Sequence, residues 1–192
     1  MQDRDMNGKY RFKRVMGKYV AFLAAIFAAV FFHGFPDVEA GEMSELAISS
    51  KAFSHMGMIP KVYTCDGKDV NPPLSFENVP EGTKSFALVV DDPDAPVGLW
   101  IHWVLWNIAG EASGIEEDAV PPGALQGKNS WGRNDYGGPC PPSGTHRYFF
   151  KLFALDSPIQ LAAGSSKEQL EKAISGHILG KAEIIGLYRR SR

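Results

Sequence analysis

Two runs of this chain carry apolar side chains at nearly every position instead of every second one. They are Ser85–Asp91, with Phe-Ala-Leu-Val-Val at its centre, and Trp100–Ile108. Both are short and are bounded by Pro, Gly or Asp, which predicts strands with both faces covered. A third run, Thr145–Phe153, is aromatic and β-favouring and reads as another buried strand. Strand alternation puts Trp100, His102, Val104, Trp106 and Ile108 on one face, and likewise His146, Tyr148, Phe150 and Leu152. Around these runs, Leu46–Phe53 predicts a first strand and Ile59–Gly67 a short extended piece closed by an Asp-Gly turn. Asn71–Phe76 stays extended, because the residue before a proline is pushed out of the helical region. Residues 110–135 read as loop. One helix is predicted, opening with a capping box of Ser165 and Glu168, with Leu170, Ala173, Ile174 and Ile178 at helical spacing and Gly180 as its stop. Ala182–Tyr188 then returns to a strand, and the sum is a mostly-β domain.

The front of the chain has a different pattern. Residues 1–18 hold six Lys and Arg, and Tyr19–Phe32 is an uncharged apolar run of fourteen. Val38-Glu39-Ala40 follows, with small side chains where a signal peptidase reads. A basic segment, a short apolar run and such a triplet predict a signal peptide over 1–40, cleaved after Ala40, and a domain over 41–192. An uncleaved anchor is the alternative, though fourteen residues fall short of the ~20 that span a bilayer. The expected location is periplasmic or secreted.

From Gly41 onward there are fourteen Lys and Arg against eighteen Asp and Glu, a net charge of −4. Basic residues cluster only at Arg189-Arg190-Ser191-Arg192, so nucleic acid is not an expected partner. Two cysteines, Cys65 and Cys140, complete the inventory. An even number in an exported chain predicts a disulfide between them.

Candidate chemistry sits at the ends of the strands. Asp91-Asp92-Pro93-Asp94-Ala95-Pro96 places three carboxylates in a turn stiffened by two prolines. His102 opens the Trp-rich strand. Gly137-Gly138-Pro139-Cys140-Pro141-Pro142-Ser143-Gly144, a rigid loop, delivers His146, Arg147 and Tyr148 into the third strand. These three stretches, in this order, resemble the signatures of the phosphatidylethanolamine-binding proteins, most closely the bacterial branch often labelled Raf-kinase-inhibitor-like. The likeness runs from about Leu46 to Arg190. It implies an antiparallel β-sandwich of a larger and a smaller sheet with a few peripheral helices. It also implies an anion-binding pocket at Asp92, His102, Pro142, His146 and Tyr148, with Asp94 nearby. Family members bind phosphorylated head groups or small anions there, and several inhibit kinases or proteases. The chain departs from the eukaryotic members in having no C-terminal helix after the last strand, which puts a kinase-binding role in doubt.

The expected function is therefore an exported small-anion or phospholipid-head-group binding protein, not an enzyme, without a cofactor and with a regulatory protein target. Imidazoles and a phenol offer donors to a phosphate, and a carboxylate holds a histidine in its orientation. A metal-dependent hydrolase with His102, His146 and Asp92 as ligands is the alternative. Cys140 with His146 makes a weaker nucleophilic pair, since export favours an oxidised cysteine. N-terminal sequencing of the exported protein is expected to begin at Gly41. A mature chain that retains residues 19–32 refutes the leader.

Overall fold

The structure, a computed structural model, describes residues 45–190. The predicted signal peptide and its cleavage point lie outside the described residues. Within them the strands are β1 (Ala47–Ser49), β2 (Gly57–Met58), β3 (Leu74–Glu77), β4 (Ser85–Asp92), β5 (Trp100–Ala109), β6 (Gly114–Ile115), β7 (Leu125–Gln126), β8 (His146–Leu155) and β9 (Ile178–Tyr188). One helix, α1 (Lys167–Ile174), precedes β9. β1, β3 and β6 form a small sheet, and the larger sheet runs β2-β9-β8-β4-β5-β7. Every pairing is antiparallel except the two-residue contact of β2 with β9.

The unbroken apolar runs follow from this layering. All eight residues of β4 are buried. One face packs Phe86, Leu88 and Val90 against the small sheet, where Phe76 meets Phe86 with ring centroids 5.1 Å apart. The opposite face packs Ala87 and Val89 with Val104 and Trp106 under Leu170 and Ile174 of α1. Each such large side chain contributes about 1.5–3 kcal/mol on burial. A strand covered on both sides loses the period-2 signal.

β5 departs from simple alternation. Val90 lies opposite Trp103 but Asp91 opposite Ile101, so His102 is an extra residue in the ladder. A second shift separates Leu88↔Leu105 from Phe86↔Ile108. Trp100, His102, Val104, Trp106 and Ile108 therefore do not share a face: Val104 and Trp106 join Ile101 under α1, whereas Trp103, Leu105 and Ile108 pack between the sheets. Bulges re-aim side chains in this way. At the second bulge Asn107 takes φ 56°, a left-handed conformation that Asn tolerates better than most residues. Its side chain accepts from Ile159 N at 2.7 Å and donates to Ile159 O at 3.1 Å, fixing the 156–166 segment to the sheet.

Other expectations shift. The first strand is only Ala47–Ser49, because Ser50 turns the chain by donating to Pro73 O and accepting from Ala52 N, which sends Phe53 into the core. Ile59–Gly67 is not extended: Pro60 starts a 3-10 turn over Lys61–Tyr63. The 110–135 loop contains β6 and β7. The capping box sits one residue later than expected, between Ser166 and Gln169, while Ser165 donates to Ala162 O. The helix stops at Ile174 and not at Gly180, because Gly176 takes φ 88° and turns the chain. Ile178, at helical spacing in the sequence, opens β9 instead, and Gly180 lies within that strand.

Cys65 and Cys140 are joined, with Cα atoms 5.4 Å apart and a sequence separation of 75. Around the bridge, Cys65 N donates to Pro139 O, Gly138 N to Asp69 Oδ1, and Tyr136 Oη to Tyr63 O. Gly138 has no room for a side chain, since a Cβ there would come within 2.5 Å of Tyr63 O. The 137–142 loop is thereby strapped to the 61–69 segment.

Two measurements check these packing arguments. Denatured, unreduced protein is expected to show no labelled thiols, and a Cys65→Ala, Cys140→Ala double variant to lose roughly 4 kcal/mol by the chain-entropy account. Two reactive thiols per chain refute the bridge. Asn107→Ala is expected to cost about 1–3 kcal/mol in denaturant unfolding, through two lost hydrogen bonds and a strained left-handed alanine. A change below 0.5 kcal/mol contradicts the role given to that bulge.

Candidate functional site

In an antiparallel sheet the end of one strand meets the beginning of its neighbours. The C-terminal residue of β4, Asp92, therefore lies at the same edge as the first residues of β5 and β8. This brings Asp92, His102 and His146 together around a cavity of about 290 Å³. Cys140, Pro141 and Pro142 form one wall and Ala95, Pro96 and Val97 the other, with Trp100 and Trp131 completing the lining. Proline on both sides fixes the walls, since its ring removes most backbone freedom.

The polar groups of the floor have fixed partners. His146 Nδ1 lies 2.7 Å from Asp92 Oδ2, and both side chains are buried. The other Asp92 oxygen accepts Asp94 N at 2.8 Å, so the carboxylate is held at both ends. His102 Nδ1 lies 2.6 Å from the carbonyl of Gly137. A carbonyl only accepts, so that nitrogen carries the hydrogen and Nε2 is left with a lone pair. Burial pushes His102 below the usual imidazole range, and the Gly137 carbonyl and Asp92 only partly offset it. The ring is wedged edge-on between Tyr148, 5.2 Å away, and Trp131, 5.1 Å away.

The three carboxylates of the 91–94 turn have separate partners. Asp91 faces the other side of the sheet, where Lys151 Nζ donates to both its oxygens at 2.8 and 2.7 Å. Burial still raises its carboxyl above the ordinary range, against the pull of Lys151. Asp94 lies outside the cavity and takes Arg147 through Nε, Nη2 and the backbone N–H. That bidentate hydrogen bonding holds the Asp94 carboxyl low.

Of the residues expected at the pocket, Asp92, His102, Pro142 and His146 line the cavity. Asp94 stands beside it as the partner of Arg147, and Tyr148 lies beneath it, fully buried, against the His102 ring. Among the described residues the Tyr148 hydroxyl meets no hydrogen-bond partner; burial, with the Asp92 charge nearby, pushes the phenol well above its ordinary range. Trp131 was not singled out by sequence reasoning. It stands in a Gly- and Asn-rich loop that reads as plain connector, and only its being a tryptophan, 41% exposed, marks it. Cys140 and Pro141 were read as disulfide and stiffener, yet both are wall.

Comparison with known proteins gives a consistent relationship. Residues 49–189 match the family described as phosphatidylethanolamine-binding protein. The chain is 51% identical to the UPF0098 protein of Methanothermobacter thermautotrophicus over 148 residues, covering 74% of this chain and 98% of that protein. It is 50% identical to the UPF0098 protein of Aquifex aeolicus, covering 76% and 89%. Among solved structures it is similar to a putative phosphatidylethanolamine-binding protein homologue from Chlamydia trachomatis. That match has TM-score 0.74 and 43% identity, and covers 77% of this chain and 99% of the other. It is also similar to YbcL of E. coli, presented as a new member of the mammalian family, with TM-score 0.72, 33% identity and coverage of 77% and 100%. With residues 49–189 matched by the family and relatives at about half identity covered over most of their length, this chain belongs to the phosphatidylethanolamine-binding protein family.

Proposed function

We propose that this protein is an exported binding protein for small anions or phospholipid head groups, and not an enzyme. The observation that carries the reading is the cavity itself: a buried Asp92–His146 pair and His102 on a floor framed by rigid proline walls. Its volume suits a head group or a small anion and not a whole lipid. Among the described residues no serine, threonine or lysine lines it, and the lining cysteine, Cys140, is committed to the disulfide. Arginine is also absent from the lining among the described residues, so His146, the imidazole paired with a carboxylate, is the group left to supply positive charge to an anion.

The metal-hydrolase alternative gains no support from this geometry. Among the described residues no three His, Cys, Asp or Glu side chains converge as a ligand set. The Nδ1 atoms of His102 and His146 are taken by Gly137 and Asp92. A regulatory role fits a second observation. Val97, 78% exposed, and Leu99 form an apolar tip beside the cavity mouth, a surface on which a kinase- or protease-type target would rest.

Calorimetric titration with inorganic phosphate at pH 6 tests the anion site. Saturable binding is expected, weakened at least tenfold, about 1.4 kcal/mol, by Asp92→Asn and by His146→Ala. Binding that survives both substitutions, or none at millimolar phosphate, overturns the assignment.

A further inference from the structure

We infer that His102 serves the cavity as a hydrogen-bond acceptor, so that an oxyanion enters as its hydrogen-bearing form, a phosphate monoester monoanion whose P–OH is donated to His102 Nε2. This rests on the anion-binding reading above and narrows it to a class of ligand.

The argument starts from the tautomer. Gly137 O, 2.6 Å from Nδ1, fixes the hydrogen there, and the ring lines the cavity, so the remaining ring nitrogen is the one a ligand meets. Becoming a donor would require a second proton on a ring that is 2% exposed. The groups facing it do not supply enough compensation. Asp92 on β4 is already shared between His146 and Asp94 N. Asp69 accepts Gly138 N from the far side of the strap. From β8 come His146 and Tyr148; the second is an uncharged phenol packed on the ring, and the third neighbour is the edge of Trp131. His102 thus keeps its lone pair.

The arginines next to the lining residues His146 and Trp131 are engaged with other partners. Arg147 is held by Asp94 with both arms of its guanidinium. Arg133 is paired with Asp135 and lies over the Trp131 ring. His146 differs from His102, since its Nδ1 faces a carboxylate; its Nε2 accepts when the ring is neutral and donates when it is charged. A phosphate oxygen can therefore meet a donor at His146, but at His102 it meets a lone pair. A fully ionised oxygen there is repelled, and an O–H is bound. A phosphodiester, which has no such hydrogen, leaves the His102 lone pair unmatched.

The sign of the pH effect follows. A phosphate monoester loses its second proton near pH 6, so the monoanion falls from about half of the ligand at pH 6 to about one per cent at pH 8. Affinity must fall by roughly fifty-fold across that interval, and binding at pH 8 must take up about one proton.

Methyl phosphate and dimethyl phosphate make the test, because they are close in size and differ in the P–OH. Titrations at pH 6 and pH 8, in buffers of different ionisation enthalpy, read affinity and proton uptake together. The expected result is methyl phosphate at least tenfold tighter than dimethyl phosphate at pH 6, weakening steeply by pH 8 with proton uptake. His102→Gln, whose amide can donate or accept, is expected to erase the difference between the two esters, with thermal unfolding checking its fold. Dihexanoyl phosphatidic acid, a lipid carrying the same monoester, tells whether the source is a lipid or a free phosphate. Equal binding of the two esters, or affinity for methyl phosphate that is flat with pH, overturns this inference while leaving the anion site standing. No binding of either ester at either pH overturns the anion site and this inference with it.

Discussion

A strand buried on both faces has nowhere to keep an ionised group except at its ends. β4 and β5 are in that position, covered on one side by the small sheet and on the other by α1 and the 156–166 segment, while β8 beside them is fully covered only on its inner face. The middles of β4 and β5 are apolar of necessity, and the buried polar residues Asp92, His102 and His146 stand together at one end of the sheet. Asp91 tests the rule: it lies one residue inside the end, fully buried, and it is tolerated there with Lys151 bonded to both oxygens. The site is thus a product of how the sheet is covered.

The same constraint explains the local bookkeeping of charge. Each acid near the cavity has its own partner, Asp92 with His146, Asp94 with Arg147, and Asp91 with Lys151 on the opposite face. None of the three is left to balance a ligand alone. The cavity floor consequently presents imidazoles whose orientation is set by neighbours, one a carboxylate and the other a main-chain carbonyl. Two histidines that look alike in the sequence are different chemical groups in the fold.

Much of this was legible in the sequence, for physical reasons that can be named. The central strands announce themselves by apolar content, and the site residues Asp92, His102 and His146 by being polar at strand ends beside prolines. On β8 alternation holds through the site, and His146, Tyr148, Phe150 and Leu152 all face inward as their spacing requires. β5 defeats the same argument, because bulges at His102 and Asn107 change parity twice and nothing in Trp100–Ile108 marks where. β6 and β7 are two residues each and exist through pairing, not propensity. The helix start failed by one residue because Ser165-Ser166-Lys167-Glu168-Gln169 contains two overlapping capping boxes, and its end failed because Ile178 fits a helix and a strand equally. Trp131 is beyond a local reading, since its partners Trp100 and His102 are about thirty residues away.

The short parallel contact of β2 with β9 has a consequence for solubility. Among the described residues β2 pairs only with Gly186 and Leu187, and His55 and Met56 bond to Ile185, so residues 178–184 of the eleven-residue β9 form an outer margin of the large sheet. Such a margin is a template for another chain's backbone. Here the ladder behind it is interrupted between Ala154 and Leu155, and Lys181 and Glu183 stand exposed along the margin. A strand arriving from a second molecule would have to fit an irregular backbone and crowd both charges. The longest strand of the fold can therefore stand at its border without seeding aggregation.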